Sequence, residues 1–499
     1  MSNNFNKNRR DFIKKSGLAL GAVTILPSHV VSGLGHTPPS DKLNIAGIGV
    51  GGMGFANLKN LKSENVVALC DVDWKYAKEC FDAYPKAKKY WDFRKMYDEV
   101  GNDIDAVVIA TADHTHAITA ANAIMMGKHV YLQKPLTHSV YESRLLTKLA
   151  KKYNVATQMG NQGASGEGVA KACEWLWNGE IGEVRRVESF TDRPIWPQGL
   201  NTPEQGQWVP DTLNWDLFVG PAKMKPFNEI YHPWNWRGWW DYGTGALGDM
   251  ACHILHPVFE GLKLGYPTKV QGSSTLLLND CAPVSESVKL TFPERNKVGK
   301  MKMPEVEVYW YDGGIKPELP AEWPAGKNPN KYGGGTFFYG TKDIMHIGCY
   351  GAEPELLSGR TPDVKETERR VEKEIGKEWG EGAHEMDWVR ACKESPESRK
   401  PTTSDFAEAG PFNEMVVMGV MAVRLQSLNK ELEWDGANMK FTNISDSETI
   451  STVVKDGFKI HDGHPTFNKT WTDPVPAKDF AAELVKHTYR TGWSLPAMP

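Results

Sequence analysis

The chain has 499 residues, of which 40 % are apolar and 24 % charged, and it carries a formal charge of −4. That length and balance suit two or three ordinary globular domains and exclude a disordered chain, and the near-neutral charge gives no electrostatic reason for a nucleic-acid or anionic-membrane partner. Seven cysteines, Cys70, Cys80, Cys173, Cys252, Cys281, Cys349 and Cys392, are odd in number, scattered and without a CxxC pair, so they read as buried thiols and not as a disulfide framework or zinc site.

In chain order, the first feature is "RRDFIKKSG" at residues 9–17, followed at once by the apolar run "LALGAVTIL" at 18–26. A polar start, paired arginines and a short apolar stretch predict a twin-arginine export signal over residues 1–35, and with it a periplasmic destination. That route carries folded proteins, so any ligand that the fold needs would be bound before export. Such a run is too short to span a bilayer, which takes about 20 residues, and no later run approaches that length, so no integral membrane domain is expected.

A first domain is expected over residues 40–165. "KLNIAGIGVGGMGFANLKNL" leads an apolar strand at 43–48 into Gly49, Gly51 and Gly54 and then into a helical pattern. The first glycine permits a tight turn, the second lets the backbone approach a pyrophosphate, and the third lets helix pack on strand, with the helix N-terminus aimed at the phosphates. A second strand in "NVVALCDVD" ends at Asp71, 22 residues after Gly49, close to the spacing of about 20 for the acid that binds ribose hydroxyls. An acid there repels a 2′-phosphate, which favours NAD over NADP, with Asp73 able to share the role. "DAVVIAT" at 105–111 is the next strand, a helix follows at about 117–126, and "HVYL" is the strand after it, so a mostly parallel sheet is predicted. Gln133, Lys134 and Pro135 fall just past that strand's carboxyl end, where doubly wound sheets bind ligands. "MGNQG" at 159–163 follows a sixth strand and places Gln162 near the nicotinamide.

Residues 166–430 are expected to form a second, α+β domain with an open, largely antiparallel sheet. Its early part concentrates aromatic and cationic residues in Pro- and Gly-rich segments: "FTDRPIWPQGL" brings Arg193 and Trp196, and "YHPWNWRGWWDYG" brings Trp234, Trp236, Arg237, Trp239, Trp240 and Tyr242. Pyranose rings offer C–H faces to aromatic planes and hydroxyls to polar groups, so this composition suits a carbohydrate cleft. Arg237 reaches either that cleft or the cofactor. "GTGALGDMACHILHP" at 243–257 puts Asp249 and His253 one helical turn apart on one face, with His256 a turn further on. Strand-like runs alternate with turns beyond residue 265, a Pro-rich surface loop interrupts them at about 313–335, and two helices follow, the second kinked or split by Pro411. Residues 431–499 read as a polar extension, a strap over the body.

These motifs together resemble the glucose-fructose oxidoreductase, inositol dehydrogenase and MocA (Gfo/Idh/MocA) family over about residues 42–425: the glycine fingerprint, Asp113 and His116 after the fourth strand, the Lys-Pro after the fifth, and the Asp249/His253 helix. The resemblance implies an NAD(P)-binding Rossmann domain followed by an open-sheet domain, a sugar or cyclitol between them, and a homo-oligomer joined through the open sheet. It implies that Lys134 is catalytic and that the family's acid and histidine are Asp249 and His253. Gln133 stands where the family usually has Glu, which removes a negative charge beside Lys134. The cofactor set expected is Gly49, Gly51, Gly52, Met53, Gly54, Asp71, Thr111, His116, Gln133, Lys134, Gln162 and Arg237. Arg193, Trp196, Trp236, Tyr242 and His256 are expected at the substrate.

Chemistry assigns the roles independently. Oxidising a secondary alcohol needs a base near the hydroxyl, for which His253 has a suitable pKa, with Asp249 to orient its ring and Lys134 to stabilise alkoxide character. A metal held by Asp249, His253 and His256 is disfavoured, because hydride transfer needs none. The reading is an NAD-dependent oxidoreductase acting on a ring hydroxyl, plausibly C3, of a sugar or glycoside, with tightly bound cofactor. The alternative is a redox-assisted glycosidase that oxidises, eliminates, hydrates and reduces; a non-catalytic sugar binder is the third reading.

Overall fold

In the first part of the chain short apolar strands alternate with helices, the rhythm that builds a parallel sheet covered on both faces. The computed structural model describes residues 41–364 and 382–499, so the export signal expected at 1–35 lies outside the described residues. The strands are β1 (Asn44–Ile48), β2 (Asn65–Cys70), β3 (Lys88–Tyr90), β4 (Ala106–Ile109), β5 (His129–Leu132) and β6 (Thr157–Met159). Between them run α1 (Met53–Asn60), α2 (Lys78–Ala83), α3 (Phe93–Val100), α4 (Asp113–Met125) and α5 (Val140–Tyr153). The strands pair in parallel in the order β3-β2-β1-β4-β5-β6. The order reverses between β1 and β4, and the crevice beyond their carboxyl ends is where such a sheet binds ligands. Helix α4 starts four residues before the expected 117. Its first turn, Asp113–His116, is polar yet buried, so an apolar-periodicity reading passes over it.

The chain then forms α6 (Glu167–Trp177), β7 (Val184–Thr191), α7 (Trp215–Val219), α8 (Gly245–Ile254) and α9 (His256–Gly261). A run of strands follows: β8 (Lys269–Ser274), β9 (Glu286–Phe292), β10 (Arg295–Val298), β11 (Met301–Met303), β12 (Val306–Tyr311), β13 (Gly334–Gly340), β14 (Ile344–Gly348) and β15 (Ala352–Leu356). Helices α10 (Ala383–Lys393) and α11 (Phe406–Arg424) precede β16 (Leu432–Asp435) and β17 (Lys440–Phe441). A nine-stranded sheet runs β15-β14-β13-β7-β12-β9-β8-β16-β17, antiparallel except where β7 meets β12. Burial alternates along β12: Val306, Val308 and Trp310 face the core, while Glu307, Tyr309 and Tyr311 point to the open face. Helix α11 covers the core face; a Cβ on Gly272 of β8 would lie 2.5 Å from the Ala422 backbone, so the glycine is what lets helix and strand touch.

Two expectations change. Helix α11 is one helix of 19 residues with Pro411 inside it, neither split nor divided. Pro411 falls in its second turn, where it removes one hydrogen bond while Asp405 caps the first turn and a long buried stretch follows. The extension after 430 is not featureless either. Strands β16 and β17 lengthen the large sheet, β18 (Thr449–Ile450) pairs with β21 (Val475–Pro476), β19 (Val453–His461) and β20 (His464–Trp471) make a hairpin, and α12 (Ala477–Val485) leads into a tail ending at Pro499. Asp462 and Gly463 join the hairpin with φ of 48° and 79°, the left-handed pair that a two-residue hairpin turn uses.

Among the described residues, those from 43 onward form one compact unit. Late segments return to the first sheet: Met159 N donates to Ser404 O at 2.8 Å, and Thr402 Oγ1 donates to Thr157 O at 2.7 Å. All seven cysteines are buried and free of disulfides.

Candidate active site

The turn after β1 is built for a ligand that needs backbone. Gly49 has φ of 74°, and a Cβ there would meet the Ala110 and Thr111 backbone at 2.7 Å. A Cβ on Gly54 would lie 2.0 Å from Gly49 O, so Gly54 serves the contact of α1 with the loop and does not line the cavity. Gly51 and Gly52 face Tyr76, whose ring would be 2.2 Å from a Cβ on Gly51 and whose hydroxyl would be 2.7 Å from one on Gly52. No side chain caps α1. Gly54 N donates to Gly51 O at 3.2 Å, and with no side-chain cap in the way the helix start turns backbone toward an anion. At the end of β2 the carboxylate of Asp71 accepts from Val50 N at 2.7 Å and Gly51 N at 3.1 Å, and its second oxygen accepts from Asp73 N at 2.9 Å. Burial raises the Asp71 pKa against those bonds. Burial also acts to raise Asp73, but His232, whose Nε2 lies 2.9 Å from Asp73 Oδ2, and backbone amides hold it below its ordinary value. A bare glycine loop, an uncapped helix start and an acid at the end of β2 fit the pyrophosphate and ribose of NAD.

At the carboxyl end of β5, Lys134 Nζ donates to Asp249 Oδ1 at 2.7 Å and to Asp249 O at 3.3 Å. Arg237 Nε donates to the same Oδ1 at 3.1 Å. The Arg237 guanidinium lies between the rings of Trp234, at 3.9 Å, and Trp236, at 4.3 Å. Burial acts to raise Asp249, but Lys134 and Arg237 outweigh it and hold its carboxyl far below the usual range. This corrects one expectation: Asp249 is bonded to the lysine and the arginine, and no hydrogen bond joins it to His253. His253, on the next turn of α8, has its ring 4.4 Å from that of Tyr350, and its buried Nδ1 has no hydrogen-bond partner. Burial first and the Lys134 ammonium second push its pKa well below the ordinary histidine value, so the ring is neutral at neutral pH.

Gln133 also has a physical setting. Its Nε2 donates to Asn57 Oδ1 at 2.9 Å, and Asn57 Nδ2 donates to Glu385 Oε1 at 2.7 Å. A buried carboxylate from α10 thus stands behind the amide, and Lys134 has its counter-ion in Asp249, so Gln133 leaves the lysine with a partner.

One cavity of about 660 Å³ joins the two regions. Of the expected site residues, Gly49, Gly51, Gly52, Met53, Asp71, Thr111, Gln133, Lys134, Gln162, Arg193, Trp196, Trp236, Arg237, Asp249 and His253 line it. Among the described residues Gly54, His116, Tyr242 and His256 are not part of that wall. His116 instead spans two carbonyl oxygens, with Nδ1 2.8 Å from Pro135 O and Nε2 3.1 Å from Thr111 O, and so braces the loops that carry Lys134 and Thr111. Tyr242 is fully buried in an aromatic cluster with Trp215, Phe218 and Tyr231. His256 turns toward Glu408, at 3.4 Å, and together with Glu260 these ligand atoms lie within 4.8 Å of one another, so the set that could surround an ion is this one and not Asp249, His253 and His256.

Several lining residues were absent from the sequence reading: Tyr76, His232, Tyr350, His384 and Trp493. Tyr350 adopts φ of 63°, and its only signal is the glycine beside it in "CYG". His232 sits in the aromatic segment at 231–243, where the rings and Arg237 stand out, and Tyr76, His384 and Trp493 come from segments with no catalytic motif.

Comparison with known proteins agrees with this architecture. Residues 43–161 match the model described as "Oxidoreductase family, NAD-binding Rossmann fold", and residues 182–292 match "Oxidoreductase family, C-terminal alpha/beta domain". A glycosyl hydrolase family 109 protein of Shewanella pealeana is 26% identical over 226 residues, covering 40% of this chain and 50% of that one. Levoglucosan dehydrogenase of Pseudarthrobacter phenanthrenivorans is 28% identical over 166 residues, covering 33% of this chain and 34% of that one. The chain thus spans half or less of the length of these curated relatives. Among solved structures, the WlbA dehydrogenase of Bordetella pertussis, in complex with NADH and UDP-GlcNAcA, is 13% identical with a TM-score of 0.52, covering 79% of this chain and 99% of that one; the likeness is one of fold. With both domains matched in order and the motif residues around one cavity, the chain belongs to the Gfo/Idh/MocA oxidoreductase family, whose first domain is an NAD-binding Rossmann fold.

Proposed function

We propose that the protein oxidises or reduces a ring hydroxyl of a sugar or glycoside, plausibly at C3, with NAD held tightly. The observation that carries this reading is the pairing of Lys134 with Asp249 beside a neutral, partly unbonded His253, in the cavity that also contains the glycine loop. When bound, the nicotinamide supplies the hydride acceptor. The chain's own residues handle the oxygen: His253 takes the hydroxyl proton, and Lys134, held in place by its bond to Asp249, donates to the oxygen as charge develops on it. The exposed face of Trp234 and the Arg237 guanidinium beside it suit the C–H face and hydroxyls of a pyranose.

His253→Ala and Lys134→Ala should each lower turnover about 10²- to 10⁴-fold while NAD stays bound. Near-normal turnover in His253→Ala would move the base elsewhere. A second reading, the redox-assisted glycosidase, is favoured by the match to the family 109 glycosyl hydrolase. Mass spectrometry of a glycoside panel separates the two: an accumulating keto-glycoside supports the oxidoreductase, and free sugar with aglycone supports the glycosidase. The twin arginines at 9 and 10 support periplasmic export, tested by whether Arg9→Lys with Arg10→Lys retains the protein in the cytoplasm. The half-buried Tyr309 and Tyr311 on the open sheet face support self-association there, tested by solution mass.

A further inference from the structure

The last residues of the chain lie outside both matched domain regions, yet one of them lines the cofactor cavity. β3 lies outside β2, on the far side of the sheet from β5 and Lys134, and Asp71 N donates to Tyr90 O at 3.1 Å; Trp91 and Phe93 just after β3 line the cavity there, as does Trp493, whose ring meets that of Phe93, and Phe218 of α7 lines it too. Asp71 marks the adenosine ribose in this fold, so the space beyond it is where the adenine of a dinucleotide lies.

The tail that brings Trp493 there is firmly tied. Arg490 Nε donates to Gly220 O at 2.6 Å, and its two terminal nitrogens donate to Asp216 Oδ1 at 2.7 Å and Asp216 O at 2.8 Å. Arg490 N donates to Pro221 O at 3.0 Å, and Tyr489 Oη donates to Glu142 Oε1 at 2.7 Å. Arg490 thereby engages Asp216 in the first turn of α7 and Gly220 and Pro221 just past its end, and that helix also presents Phe218 to the cavity. A turn follows in which Trp493 N donates to Arg490 O at 3.1 Å. The Trp493 ring then rests 6.3 Å from the Phe93 ring and beneath the Arg94 guanidinium, at 4.3 Å. That arginine is itself fixed to Asp92 by 2.9 and 2.7 Å bonds.

We propose that Trp493 is a cofactor-binding residue that forms the outer wall of the adenine site, and that Arg490 is the residue that positions it. The aromatic face of Trp493 stacks on the purine, and the tail closes the adenosine end against solvent. This inference rests on the NAD-binding reading and adds that retention of the nucleotide depends on the C-terminal tail.

The test measures nucleotide release, not turnover. NADH is bound to the full-length protein, excess NAD⁺ is added as a trap, and loss of energy transfer from protein tryptophan to NADH gives the dissociation rate; ADP and nicotinamide mononucleotide are then compared as competitors. Trp493→Ala should speed release roughly 5- to 150-fold, the range expected for loss of one base–aromatic stack, and should weaken ADP while leaving nicotinamide mononucleotide unchanged. Trp493→Phe should recover most of the retention, and Arg490→Ala should speed release without losing the cavity aromatic itself. Near-ultraviolet circular dichroism confirms folding, and if Arg490→Ala does not fold, the Trp493 pair decides alone. An unchanged release rate and ADP affinity in a folded Trp493→Ala protein overturns the proposal. If the wild type itself binds no NADH, it is the NAD reading that has failed.

Discussion

Asp249 carries most of the electrostatic burden of the site. One of its oxygens takes bonds from two cations, Lys134 and Arg237, which are themselves largely buried. Replacing the carboxylate by an amide leaves those charges facing each other without an anion. Asp249→Asn should therefore destabilise the fold by about 3 to 5 kcal/mol, the usual result of breaking a buried ion pair from one side. Adding Lys134→Met should recover part of that loss, which a double-mutant cycle in denaturant would detect as a favourable coupling; strict additivity would show that the two charges do not act as a pair. The same geometry sets a pH expectation. As the proposed base, His253 could act only when unprotonated, and burial holds its folded pKa well below 6.5. The acid limb of kcat/KM should accordingly fall below the ordinary histidine range, with activity still on its plateau at pH 6.5. A limb centred at or above 6.5 would mean that another group takes the proton. Substrate binding, read as KM, should not follow that limb.

At the scale of elements, the glycine loop and its neighbour Tyr76 form one unit. A side chain on Gly51 would enter the Tyr76 ring, whereas one on Gly49 would strike backbone and occupy a left-handed conformation. Gly51→Ala should weaken NADH binding and regain part of it when Tyr76→Ala makes room, while Gly49→Ala should remain defective, since strain of about 1 to 3 kcal/mol in the backbone has no side chain to relieve it. Equal rescue of both by Tyr76→Ala would refute this distinction in an NADH titration. These elements also show what the sequence made legible. β1, the glycine turn and β5 are short apolar runs ending in residues with special backbone needs, and each could be read locally. The Asp249 bridge could not, because Lys134 and Asp249 are 115 residues apart and their pairing follows only from the way α8 meets the end of β5. Burial of Tyr242 and the turning away of His256 were hidden for a similar reason: periodicity puts a histidine on a helix face, but α9 begins at His256 and starts a new face. Trp493 was least legible, since a tail without periodicity carries no signal of where it docks.

For the whole molecule, a dinucleotide bound as proposed would be a structural component as well as a reactant. The cavity wall draws on the first sheet, on α7 and α8, on the loop of Tyr350, on α10 and on the C-terminal tail. A ligand filling that cavity touches all of these and binds only when they are assembled, so it stabilises the native state by RT ln(1 + [L]/Kd). At a free concentration a thousandfold above Kd the gain is about 4 kcal/mol. An unfolding entropy of about 2 cal/mol/K per residue gives a unit of this size an entropy near 1 kcal/mol/K, and hence a rise in Tm of roughly 4 °C. Removing nucleotide from the purified protein should lower Tm by that amount, and returning NAD should restore it, while NADP at equal concentration should restore less if the carboxylate of Asp71 repels a 2′-phosphate as the proposed ribose acid. An export route for folded chains would make the loaded form the one that leaves the cytoplasm, so protein recovered from the periplasm should release close to one nucleotide per chain on denaturation. Periplasmic protein that carries no nucleotide, and whose Tm does not respond to added NAD, would break the link between tight retention and export.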